Sequence, residues 1–140
     1  MDNIIIEKKW SDEGIIEIKI YAETEFINVW QECYVSESCW ENNAVHIIEY
    51  IKNPEGECYV VYGNKYGNFT PAFSMNFSSM DVRGHIKIEM DIEINDNNMR
   101  AHRCSFYVVT EMGLLENFAQ KMYKLLRADV GYRIILNEKN

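Results

Sequence analysis

Residues 83–110, RGHIKIEMDIEINDNNMRAHRCSFYVVT, restrict the choice of folds more than any other stretch. Ile86, Ile88, Met90, Ile92 and Ile94 alternate with His85, Lys87, Glu89, Asp91 and Glu93. On a helix this spacing would scatter the apolar groups around the axis. On a strand, where side chains point to alternate faces, it collects them on one side. The segment is therefore a half-buried antiparallel strand. Asp96-Asn97-Asn98 interrupts the pattern with residues that suit a tight turn. The chain then returns through 99–109. Setting Asn95 opposite Met99 places Ile92, Met90, Ile88 and Ile86 opposite His102, Cys104, Phe106 and Val108. The wet face then pairs Asp91 with Arg103 and Glu89 with Ser105. A slip of one residue would turn Arg103 toward the isoleucines and is rejected.

The rest of the chain has to supply what this ribbon packs against. Residues 4–10 and 15–23 read as two strands around the turn Ser11-Asp12-Glu13-Gly14, and 26–35 as a third. At Ser36 the period changes. Trp40, Ala44, Ile47, Ile48 and Ile51 form one helical stripe, with Ser36 or Ser38 as the cap and Asn53-Pro54 as the stop. A short strand at 58–62, a loop at 63–68 and a strand opened by Pro71 follow, the last with Phe73, Met75 and Phe77 on one face. Leu115, Phe118, Ala119, Met122, Leu125 and Leu126 define a second helix, with Thr110 read as its cap and Glu111 in its first turn. Residues 132–136 close the chain as a short strand. The order β-β-β-α-β-β-β-β-α-(β) predicts one α+β domain over 1–140. It is a mostly antiparallel sheet, one curved or two small, covered by two amphipathic helices.

Charge narrows the partners. With 14 basic and 22 acidic side chains the net charge is −8, and the pI is near 4.9. Phosphate backbones and anionic membrane surfaces would be repelled, whereas a basic protein would be attracted. Solubility alone also explains an acidic surface. No stretch is long enough for a membrane helix and the N-terminus has no leader-like run, so the expected location is the cytoplasm. Cys33, Cys39, Cys58 and Cys104 are irregularly spaced inside regular elements. They read as free thiols, not as a disulfide framework.

Candidate chemistry is sparse. Glu89, Asp91 and Glu93 share the wet face of the ribbon, with Asp96 at its turn. Paired carboxylates can ligate a hard cation, but a metal needs ligands converging from several elements. A solvated polar sheet face fits better, with a surface for a basic protein partner as the alternative. His102 and Cys104 share a face, yet a structural zinc needs four ligands and no second pair is present. His46 has no neighbouring nucleophile. Tyr59, Tyr62, Tyr66 and Phe69 flank the 63–68 loop; ordinary packing of strand ends is the plainer reading, and an interface, where tyrosine is enriched, the other. No catalytic motif, metal site or cofactor is expected.

The N-terminal hairpin, the helix WENNAVHIIEYIKN, the strand FTPAFSMNF, the RGHIKIEMDIEI strand and the strand-to-helix run CSFYVVTEMGLLENFAQKM together resemble the WapI-type immunity proteins of bacterial polymorphic-toxin systems and their relatives. The resemblance spans most of the chain and lies in element types and apolar positions. It implies a non-enzymatic protein that neutralises a toxin, often a basic nuclease, by binding it. It assigns no functional residue. The expected partner-binding set is Glu89, Asp91, Glu93, Asp96, Tyr62 and Tyr66. A small-molecule binder or enzyme with a site in a sheet concavity is the alternative, and self-association stays open.

Overall fold

A computed structural model describes residues 2–63, 72–94 and 102–138. Over these residues there are eight strands and two helices: β1 (Asn3–Asp12), β2 (Ile15–Glu23), β3 (Asn28–Ser36), α1 (Glu37–Lys52), β4 (Glu57–Tyr62), β5 (Phe73–Ser79), β6 (His85–Glu93), β7 (Arg103–Glu111), α2 (Met112–Leu125) and β8 (Arg133–Ile135). The fold is α+β, and the strands divide into two antiparallel sheets. The first has the order β3-β2-β1-β8 and the second β4-β5-β6-β7. The second is a meander, in which each strand pairs with its neighbour in sequence. The first is closed on one edge by the C-terminal strand.

Each sheet buries one face. Ile4, Ile6, Ile16, Ile18 and Ile20 point inward from the first sheet, and Phe73, Met75, Phe77, Ile86, Ile88, Met90 and Ile92 from the second. Both sets join the inner faces of α1 and α2 in one continuous cluster. The helices are pinned together by Trp40, whose indole Nε1 donates to the Met122 carbonyl at 2.6 Å. The sheets are joined by side chains at their margins. The Gln31 amide donates to the Glu93 carbonyl. Asn137 binds the carbonyls of Asp2 (2.9 Å) and Val109 (3.0 Å) and accepts the Thr110 hydroxyl (2.6 Å).

The β6–β7 register differs from the expected one by two residues. Ile92 faces Cys104, Met90 faces Phe106, Ile88 faces Val108 and Ile86 faces Thr110. An even shift keeps every side chain on its own face, so the alternation that excludes a one-residue slip is blind to it. The observed register sets Arg103 opposite Glu93 and lets its guanidinium reach diagonally to Asp91 at 2.7 Å. The two helix caps also part company. Ser36 Oγ accepts from the Cys39 amide and caps α1. Thr110 does not cap α2: β7 runs straight into the helix through Glu111, without a side-chain cap bond, and the Thr110 hydroxyl is turned to Asn137.

A bulge in β1 decides a large part of the surface. Lys8 pairs with Ile18, but the next pair is Trp10 with Glu17, so Lys9 is the extra residue. Without it, Trp10 would share the inner parity of Ile4, Ile6 and Lys8. The bulge turns it outward. Lys8 itself stays inside at 3% exposure. Its ammonium donates to the carbonyls of Leu125 (3.2 Å), Leu126 (3.0 Å) and Ala128 (2.8 Å), at the negative end of α2.

Candidate interaction surfaces

The acidic strip lies on the outer face of the second sheet, in rows fixed by strand pairing. The central row runs Tyr59–Asn76–Glu89–Tyr107 and puts the exposed Glu89 among two tyrosines that are 57% and 54% exposed. The next row is Val61–Ser74–Asp91–Ser105, and beyond it Glu93 pairs with Arg103. On the other side lies Glu57–Ser78–Lys87–Val109. Arg103 bonds Asp91 through Nε at 2.8 Å and approaches Glu93 at 3.9 Å. Lys87 sits 4.5 Å from the Tyr107 ring centroid. Five carboxylates (Glu57, Glu89, Asp91, Glu93, Glu111) therefore share this face with two cations and His85.

Of the expected partner-binding residues, Glu89, Asp91 and Glu93 come together here. Asp96 and Tyr66 lie outside the described residues, as does Phe69. Tyr62 is a correction. It has no exposed surface, its ring stacks on Phe73 at 4.6 Å and lies 5.4 Å from Trp40, and it belongs to the core. In β4 the residues alternate, so Tyr62 shares the inner face with Cys58 and Val60 while Tyr59 faces out. The strand is apolar on both faces, and its sequence alone does not distinguish them.

Sequence reasoning passed over the outer face of the first sheet. One row is Ile135–Ile5–Tyr21–Trp30, the next Arg133–Glu7–Lys19–Glu32, and a third Trp10–Glu17–Tyr34. Trp10 and Tyr34 meet edge to face at 5.9 Å, and with Trp30 they are 40–50% exposed. Lys19 Nζ lies 4.4 Å from the Trp30 ring and 4.9 Å from the Tyr21 ring. The signal was present in the alternation of 15–23, whose outward set includes Glu17, Lys19 and Tyr21. Only the strand order brings the charges of four strands into one row.

Titratable groups give little further chemistry. Among the described residues no group of three or more His, Cys, Asp and Glu is arranged to hold a metal. His85 Nδ1 and Asp81 Oδ2 are 2.7 Å apart. That bond, with the amides of His85 and Arg83, holds the Asp81 carboxyl below the usual carboxylate range. Beside His85 is an open, mostly apolar cleft of about 280 Å³, lined also by Asp2, Val109, Thr110, Glu111, Leu114 and Asn137. The Thr110 hydroxyl is taken by Asn137 and the Asp2 carboxylate by the Val109 amide. His102 and His46 are exposed, and Cys104 is half-buried beside Ile92. No disulfide joins the four cysteines. Burial pushes the Cys33 thiol up to about 12 and the Cys58 thiol to about 11, so neither is an activated nucleophile. Among the described residues no helix is long and apolar enough to cross a membrane.

Comparison of the chain with family models, with curated proteins and with solved structures finds no match.

Proposed function

We infer that the chain is a non-enzymatic protein-binding domain that takes a basic protein on the outer face of the β4-β5-β6-β7 sheet. The observation that supports this most is the Tyr59–Asn76–Glu89–Tyr107 row, an exposed carboxylate between two exposed tyrosines in a field of further carboxylates. Tyrosine supplies contact area at low entropic cost, and carboxylates steer a cationic partner and set its register. The net charge of −8 acts in the same direction over longer range. Together with the resemblance to WapI-type immunity proteins, this makes a cognate toxin, bound and occluded in a bacterial cytoplasm, the specific partner of choice.

The test is binding to the product of the adjacent gene, measured by calorimetry at low and at moderate ionic strength. Expected are a complex that weakens as salt screens the exposed charges and at least a tenfold loss of affinity in Glu89→Lys. Absence of any complex at low ionic strength would overturn the reading.

A second reading, a small-molecule site, is favoured by one feature, the cleft beside the Asp81–His85 pair. Leu114→Trp, on α2 and off the strand rows, separates the two. It fills the cleft, leaving the protein complex intact under the first reading and removing ligand binding under the second.

A further inference from the structure

We propose that the outer face of the β3-β2-β1-β8 sheet is a docking surface for a second copy of this chain, seated about a two-fold axis parallel to the strands. The argument is charge order. Across the sheet, from β8 to β3, the central row reads Arg133, Glu7, Lys19, Glu32, so the signs run plus, minus, plus, minus. A two-fold axis along the strand direction, between β1 and β2, lays this row on itself in reverse. Arg133 then meets Glu32 of the second copy, and Glu7 meets Lys19 of the second copy. The same operation repeats both, so all four contacts of the row are between opposite charges. A two-fold axis across the strands does the opposite, setting Arg133 on Arg133 and Glu7 on Glu7. Self-complementarity thus selects one isologous geometry out of two.

The apolar flanking row agrees with that choice. On one side Ile135 meets Trp30 of the second copy and Ile5 meets Tyr21 of the second copy, apolar on aromatic. On the other, Trp10 meets Glu17 of the second copy. Aligned sheets pack with strand directions within about 30° of each other, so the twist leaves the central Glu7–Lys19 contacts in best register. Four strands about 4.8 Å apart give a footprint on the order of 400 Å² per protomer, below the roughly 800 Å² of a standard interface. The dimer is accordingly weak, with a dissociation constant in the micromolar range or above. This surface is separate from the acidic face assigned to a basic partner, so the two proposals stand or fall independently.

Sedimentation equilibrium of the full chain from about 10 to 500 μM tests it. The wild type is expected to dimerise reversibly. Lys19→Glu, which sets two carboxylates against each other at both central contacts, and Glu32→Lys, which sets Lys against Arg133, are each expected to weaken the dimer at least tenfold. The exchange Glu7→Lys with Lys19→Glu restores opposite pairing and is expected to restore association. Circular dichroism confirms that each variant is folded. A wild type that stays monomeric at 500 μM, a dimer indifferent to both single variants, or one broken instead by Glu89→Lys on the other sheet would overturn the proposal.

Discussion

Lys8 carries more structural consequence than any charged residue on the surface. Its ammonium closes the last carbonyls of α2, and its backbone exchanges bonds with the chain beyond that helix, Lys8 N to Tyr132 O at 2.9 Å and Gly131 N to Lys8 O at 2.8 Å. One residue of β1 thereby fixes the C-terminal helix and the start of the strand that pairs with it. Removing the ammonium leaves the part-buried Leu126 and Ala128 carbonyls without this donor, while the Leu125 carbonyl keeps the Ala128 amide at 3.2 Å. Lys8→Met is expected to lose about 2–3 kcal/mol, read from urea unfolding as a lower midpoint at unchanged slope. A loss below about 0.5 kcal/mol, the range of ordinary surface substitutions, would show that water replaces the ammonium. Cys33 gives a prediction in pH. The unfolded thiol ionises near its ordinary value of 9.0, and the folded one is pushed up to about 12 by burial. The folded state therefore holds the proton more tightly. Its contribution is full below pH 9 and is lost as pH rises toward 12. Between pH 9 and 11 the wild type should lose stability faster than Cys33→Ala, and parallel denaturation curves for the two would refute the assignment.

At the level of elements, turns and bulges do what the strands cannot. The strands supply alternation. The extra residue at Lys9 reverses it locally, and Trp10 passes from the core side to the outer face. Gly63 closes β4 at φ +96, where an added Cβ would lie 2.6 Å from the Ala72 Cβ and 3.0 Å from its amide nitrogen. Ala72 is itself held through its carbonyl by the Glu93 amide at 2.8 Å, so it cannot retreat without disturbing the start of the acidic rows. Gly63→Ala combines a left-handed backbone with a backbone collision and is expected to cost about 2–4 kcal/mol in thermal or chemical unfolding. A cost of about 1 kcal/mol or less, the low end of what a left-handed φ alone costs, would mean that the β4–β5 approach relaxes freely.

Across the whole molecule, two sheets share one core and turn two unlike faces outward. One presents carboxylates with tyrosines, the other an alternating charge row framed by tryptophan, tyrosine and isoleucine. The difference follows from how charge is spent along each strand. On β6 the outward positions from 89 to 93 are all acidic and are answered mainly by Arg103. On β1, β2, β3 and β8 the signs alternate between neighbours, which satisfies the sheet internally and makes it complementary to its own image. If both surfaces act, Glu89→Lys weakens capture of a basic partner at least tenfold and leaves self-association unchanged, and Lys19→Glu does the reverse. Loss of both properties in either variant would point to a single shared interface.

By itself the sequence determined what depends on local period. The alternation of 85–94 specified a strand and its buried side. The stripes ending in Ile51 and Leu126 specified two one-sided helices. Ser36 or Ser38 was to cap the first of them, a choice the structure makes for Ser36, and the α+β order followed. The acidic strip was legible in the same way, because the face of a residue on an ideal strand depends only on parity. Tertiary structure decided what parity leaves degenerate. An even register shift in β6–β7 changes no face, so only the fit of Arg103 between Asp91 and Glu93 and of Val108 against Ile88 could select it. Tyr62 sits on a strand apolar on both sides, and which side meets the helices is a property of the core. Lys8 looks like a surface lysine until the end of α2, far along the chain, arrives above it. Local pattern reflects the short-range geometry of the backbone, whereas register, strand order and the partners of a buried charge are set by groups distant in sequence that have to fill the same space.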